Sequence, residues 1–234
     1  MTADRARTPA RRQTTHQTQG PRRRHADGNP SQATVGCSRR LPSAPCGDVV
    51  DQTLDFGVGL LRRPRAADAE RITSICQDPA IQRFTRVPIP YTLADAERFI
   101  ETTTERWAAG TPATFMVEVD RRVVANVGLV HLDVEDGWGE IGYWTAPDMR
   151  RRGITTAAVG RVCAWAFEDL GLARLQLETA SGNTGSQRVA QQLGFRQEGV
   201  RRSAAVLRPT GGMPPQRVDM TMWGLLPDEF ESRK

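Results

Sequence analysis

One stretch constrains this chain more than any other. The apolar, aromatic run Gly139-Glu140-Ile141-Gly142-Tyr143-Trp144-Thr145-Ala146-Pro147 leads directly into Asp148-Met149-Arg150-Arg151-Arg152-Gly153, and then into Ile154-Thr155-Thr156-Ala157-Ala158. A strand, a basic turn and a helix in that order build an anion site. The start of a helix leaves backbone N–H groups unpaired and carries partial positive charge, so it attracts phosphate. Three consecutive arginines add charge, and Gly153 keeps a side chain out of the way where a ligand approaches. Thirty residues beyond Gly153 comes Asn183-Thr184-Gly185-Ser186, which opens a short helix that closes on Leu193-Gly194-Phe195.

Around this core the pattern alternates strands with helices. Val58–Pro64 reads as a first strand and Arg65–Ile75 as an amphipathic helix. Thr92 caps a second helix from Leu93 to Ala109, which Gly110 stops. Ala113–Val119 and Val123–Leu132 form a hairpin about Asp120-Arg121-Arg122, followed by the Glu140–Thr145 strand. A helix from Ile154 to Leu170, a strand from Arg174 to Thr179 and a helix from Thr184 to Leu193 come next. Two strands end the chain, about 197–206 and 218–224, separated by the Arg208–Pro215 loop. The order β-α-α-β-β-β-α-β-α-β-β is an α/β (α+β) fold, one mixed sheet flanked by helices. G-x-G-x-x-G after the first strand and G-x-x-x-x-G-K-[ST] are both absent, which argues against a doubly wound dinucleotide fold.

Taken together, these segments resemble the GNAT superfamily of N-acetyltransferases, closest to its branch of ribosomal-protein alanine and serine N-acetyltransferases. The likeness runs from about Gly57 to Phe230 and includes the closing Val218–Leu226 strand. It implies a GNAT-type acyl-CoA fold with acetyl-CoA as donor, no metal, and a primary amine as acceptor, either a protein N-terminus or a small molecule. Homodimers are common in the family. One departure stands out. Relatives read Gly-x-Gly in the turn, preceded by Gln or Arg; here Arg151 takes the first glycine's place and Asp148 that of the Gln or Arg, while Gly153 keeps the second.

The resemblance assigns roles residue by residue. The pyrophosphate is expected on the N–H groups from Arg152 and Gly153 through Ile154, Thr155 and Thr156, with Arg150 and Arg151 beside it. The peptide-like pantetheine arm is expected along Tyr143, Trp144 and Thr145, as an added strand would lie. Asn183 and Ser186 complete the cofactor contacts. Glu140 is the candidate base, with Glu118 and Glu178 as rivals, since the chemistry needs a carboxylate at the cleft. Many relatives protonate the leaving thiolate with a tyrosine on the last short helix. That helix holds none here, and Ser186 stands where the resembled branch carries a serine, so it is the candidate donor; helix capping is the alternative role for both Asn183 and Ser186. His131 reads as structural.

Charge divides the chain. Residues 1–50 carry nine arginines against three aspartates, a net +6, whereas the whole chain has +5, leaving the body at −1. With almost no large apolar residues, residues 1–55 read as a disordered basic extension ahead of a 56–234 transferase domain. No apolar run long enough for a secretory signal or a membrane span occurs. Cys37, Cys46, Cys76 and Cys163 show no zinc spacing, and a reduced cytoplasm is the simplest setting. Two other readings stay open on sequence alone. One is an acyl-CoA-binding sensor without catalysis; the other is a ribosome- or nucleic-acid-associated module acting through the arginine tail.

Overall fold

The computed structural model describes residues 53–111 and 114–232; the basic extension expected over residues 1–55 lies almost entirely outside them. The strands are β1 (Leu54–Asp55), β2 (Leu60–Arg62), β3 (Thr114–Val119), β4 (Arg122–Asp133), β5 (Trp138–Thr145), β6 (Arg174–Ala180), β7 (Arg196–Leu207) and β8 (Gln216–Leu225). They make one sheet in the order β1-β2-β3-β4-β5-β6-β8-β7. Every neighbouring pair is antiparallel except β5 and β6, which run parallel because α4 (Ile154–Glu168) crosses between them. The mixed, helix-flanked sheet is the one the residue pattern predicts.

Alternation along the strands builds two cores, one on each face. Phe115 and Val117 of β3 and Ile141 of β5 pack with Ala158, Val159, Val162 and Trp165 of α4. Met116 and Trp144 point to the other face. There they meet Ile72 and Ile75 of α1 (Ala69–Ile75) and Ala96 and Ile100 of α3 (Leu93–Ala108). Thr92 caps α3 as expected, accepting from the Asp95 N–H while the Asp95 carboxylate accepts from the Thr92 N–H.

Several elements go beyond the sequence reading. The first strand is shorter, Leu60–Arg62, and doubles back on β1, so ordered pairing begins at Leu54, ahead of residue 56. The expected helix from Arg65 starts as a 3-10 turn at Ala66–Asp68. A six-residue helix α2 (Pro79–Phe84) follows Asp78, whose carboxylate accepts from the Ile81 N–H, and α6 (Pro227–Glu231) closes the described chain. The helix α5 (Thr184–Leu193) has the bounds the sequence predicts. Beneath β2, the buried Arg62 guanidinium grips Asp68 through two 2.8 Å bonds and Glu118 through one of 2.6 Å. Between them the two carboxylates satisfy that buried cation from both sides.

Candidate active site

Parallel pairing between β5 and β6 lasts only three residues, Trp138–Glu140 against Arg174–Gln176, and then the strands part. The Ala146 N–H donates to the Val124 carbonyl at 2.8 Å, which fixes the phase of the β4–β5 ladder. In an antiparallel ladder hydrogen-bonded and non-bonded pairs alternate, so Gly142, Trp144 and Ala146 turn their backbone groups to β4. Ile141, Tyr143 and Thr145 face the other way: the Ile141 N–H closes the last pair with β6, and from its carbonyl through Tyr143 to the Thr145 N–H the groups face the side β6 has vacated. That edge presents a short row of donors and acceptors, the kind of edge that takes an extended, amide-bearing chain.

The edge ends in the basic turn. Pro147–Met149 forms a 3-10 turn, and Arg151 (φ 63°) and Gly153 (φ 77°) both take left-handed backbone before α4 begins. A left-handed residue is where glycine costs least, which accounts for the glycine that the family resemblance leads one to expect in Arg151's place. Arg151 adopts the conformation glycine would, so the turn keeps its course and gains an exposed cation. Gly153 faces open space and no side chain among the described residues caps α4, so the first N–H groups of that helix are left for a ligand. Thr145 Oγ1 and Thr155 Oγ1, 2.7 Å apart, lock the strand end to the first turn of the helix. The open edge, the uncapped helix start and the exposed Arg151 and Arg152 together fit a phosphate-bearing ligand with a peptide-like arm.

Two residues assigned to that ligand are engaged elsewhere. Trp144 is packed into the core beside α1 and α3, and its backbone faces β4, so it serves as a wall. Arg150 donates to the Thr145 carbonyl at 3.2 Å and to Asp78 at 2.6 Å, tying α2 to the turn. Burial alone would raise the Asp78 carboxyl. Hydrogen bonds from Arg150 and from the Ile81 and Ala80 N–H groups outweigh it and hold the group below its ordinary value.

The acid–base candidates sort by their partners. Glu118 is bound to Arg62, and Glu178 meets Arg201 at 2.7 Å. Glu140 sits where the strands part, on the face it shares with Trp144, and among the described residues its carboxylate accepts one hydrogen bond, from the Gln176 amide at 3.4 Å. Burial pushes its carboxyl above the ordinary value. Gln176, His131 and Arg201 pull the other way, and Glu178 adds to the push. A half-buried carboxylate that no cation among the described residues binds can pick up a proton. His131 stacks on Trp138 at 4.7 Å, a packing role.

On the opposite face the Tyr143 phenol meets Ser186 Oγ at 2.7 Å, a contact between residues 43 apart that strand and helix periodicity does not reveal. Burial pushes the phenol up to about 12; the Ser186 bond pulls back, and Cys163 adds to the rise. Asn183 caps α5 by accepting from the Ser186 N–H at 3.2 Å, which fixes the serine on the first turn.

Two distant loops meet over α2. Arg83 donates to the Arg208 and Pro214 carbonyls at 3.1 and 3.4 Å and to Gln216 Oε1 at 3.1 Å. Arg208 in turn donates to the Val87 carbonyl.

A family model described as an acetyltransferase (GNAT) domain matches residues 60–196. YdaF of Bacillus subtilis (strain 168), whose name refers to ribosomal N-acetyltransfer, is 34% identical over 115 residues. That alignment spans 49% of this chain and 60% of YdaF, less than two thirds of it. Among solved structures, one described as a probable acetyltransferase superposes with a TM-score of 0.66 at 26% identity, covering 75% of this chain and 97% of its own. RimJ of Mycobacterium smegmatis, in complex with a CoA disulfide, shares the fold, with a TM-score of 0.62 at 22% identity and coverage of 76% and 88%. With the family model spanning more than half of its length, and with the sheet and turn described above, this chain belongs to the GNAT acetyltransferase family.

Proposed function

We propose that this chain moves an acetyl group from acetyl-CoA to a primary amine by direct transfer while both are bound. The observation that carries the reading is the parting of β5 from β6 after Glu140, with the uncapped start of α4 at the end of the vacated edge. The bound thioester supplies the activated acetyl carbon. The open N–H groups of Tyr143 and Thr145 orient the pantetheine arm and offer donors for the carbonyl oxygen as it gains charge. Arg151, Arg152 and the first N–H groups of α4, from Gly153 through Ile154, Thr155 and Thr156, hold the phosphates. Asn183 keeps its side-chain NH2 for the arm while its oxygen caps α5.

Glu140 takes the proton from the attacking ammonium, on the face opposite the Tyr143–Ser186 pair. We assign the acceptor to the free N-terminus of a protein. Likeness to YdaF supports a ribosomal protein as the class, and the loops joined by Arg83 and Arg208 border that face. The setting we infer is the cytoplasm. Among the described residues no helix is long and apolar enough to cross a membrane.

The test is the thermal shift of the full chain with acetyl-CoA and with CoA, followed by thiol release in the presence of peptides beginning with Ser or Ala. At a hundredfold excess over the dissociation constant a ligand adds about 2.7 kcal/mol. For a domain of this size that is roughly 5–11 °C. A shift with peptide-dependent thiol release supports the reading; no shift at millimolar cofactor overturns it.

A further inference from the structure

We propose that Tyr143 is the terminal proton donor for the departing thiolate and acts through Ser186, a role that rests on the acetyl-transfer reading above. The geometry is direct. The phenol oxygen lies 2.7 Å from Ser186 Oγ and 3.4 Å from the Ser186 carbonyl, so it faces the first turn of α5. Both partners are held. Tyr143 packs against the core on the α4 face, and Asn183 fixes the Ser186 backbone. Tyr143 also lies on the edge β6 vacates, so backbone and side chain address the same ligand from one residue. The chain's only other tyrosine is Tyr91, which is buried with α1 and α3 on the opposite side of the sheet.

Serine alone is a poor acid, because giving up its proton leaves an alkoxide more basic than the thiolate it serves. A phenol behind it lowers that obstacle, because a phenolate is far less basic than an alkoxide. As the C–S bond breaks, the sulfur leaves with the bonding pair. Ser186 gives its hydroxyl proton to that sulfur and takes the Tyr143 proton in its place. One S–H bond forms, Ser186 ends as it began, and Tyr143 is left as a phenolate that regains its proton from water when product leaves. Burial disfavours thiolate and phenolate alike, so the pocket raises the basicity of both together. Because the phenol is held above its ordinary range, it starts each turnover protonated.

The experiment has two arms. In the first, the full chain and its Tyr143→Phe, Ser186→Ala and double variants are assayed by thiol release with a peptide beginning in Ser. Cofactor affinity is followed separately by thermal shift with CoA. Loss of about 10²-fold in kcat for Tyr143→Phe is expected, with CoA affinity kept within about threefold. The double variant should be no slower than Ser186→Ala alone, since the two act as one unit. A Tyr143→Phe kcat within about twofold of wild type, or losses that multiply, overturns the relay while acetyl transfer stands.

The second arm needs no acceptor. The protein is labelled with fluorotyrosine, and its two resonances are assigned with Tyr91→Phe. The Tyr143 signal is expected to differ between CoA and desulfo-CoA complexes, and Ser186→Ala should erase that difference. Identical signals with the two ligands, in a chain that binds both, overturn the relay. If wild type neither binds CoA nor releases thiol, the transferase reading falls and the relay with it.

Discussion

Thr145 Oγ1 and Thr155 Oγ1 stand 2.7 Å apart, so the last residue of β5 and the first turn of α4 are joined across the basic turn. The bond sets the distance between the open strand edge and the open helix start, the two halves of the proposed cofactor site. Thr155→Val keeps the side-chain shape and deletes the bond, at a stability cost of about 1 kcal/mol. Titration with CoA is expected to show affinity weakened by about three- to tenfold.

Glu140→Gln separates function from stability. Thiol release should fall by roughly 10²-fold or more, and the acidic limb of the pH–rate profile, displaced upward from an ordinary glutamate by burial, should vanish. The stability effect has the opposite sign. The folded carboxyl holds its proton more tightly than the unfolded one, so rising pH favours the unfolded chain. That penalty is absent below the ordinary glutamate range and complete above the raised folded value. Glu140→Gln is therefore expected to melt higher than wild type at neutral pH, with the gain disappearing in acid. Melting temperatures across a pH series check this.

Arg151 holds a left-handed backbone that a side chain disfavours by about 1 kcal/mol. Arg151→Ala retains that strain and loses the charge, whereas Arg151→Gly loses both. Chemical denaturation should find the glycine variant at least as stable as the alanine variant, by up to about 1 kcal/mol once glycine's extra unfolded freedom is counted. Both should bind CoA more weakly than wild type, with a shallower dependence on salt.

Arg62→Met leaves Asp68 and Glu118 without their shared cation in a buried site. Removing one partner of a buried ion pair costs about 3–5 kcal/mol. Denaturant unfolding is expected to show a loss of that order, while cofactor binding to the surviving folded fraction stays intact.

The elements legible in the sequence were those whose signal is local. Thr92, the Gly153 turn and Gly194 mark helix ends by capping and left-handed backbone, and the 3.6-residue and two-residue periods filled in between them. Two short helices absent from the predicted pattern also carry a local signal: Asp78-Pro79 and Leu226-Pro227 both open a helix with proline in its first turn. The pairing of Leu54–Asp55 with β2 was too short to mark itself. Of the site, the basic turn came from order and spacing, the ligand strand from the family resemblance, and its open edge only from the fold. What the sequence did not carry was partnership across the fold. Arg62 claims Glu118, Arg201 claims Glu178 and Asp78 claims Arg150, and these bonds separate residues that looked equivalent along the chain. Trp144 likewise sits on a strand beside the residues proposed to face the ligand, yet its alternate position turns it into the core.

The gap between β5 and β6 makes the sheet a wall with a slot in it. Glu140 stands on one side of the wall and the Tyr143–Ser186 pair on the other. Two reactants can then enter by separate doors and meet only at the opening. Neither has to leave before the other arrives, so no acetylated form of the protein is required. Steady-state rates measured against both substrates should give intersecting rather than parallel lines. CoA should compete with acetyl-CoA but not with the amine.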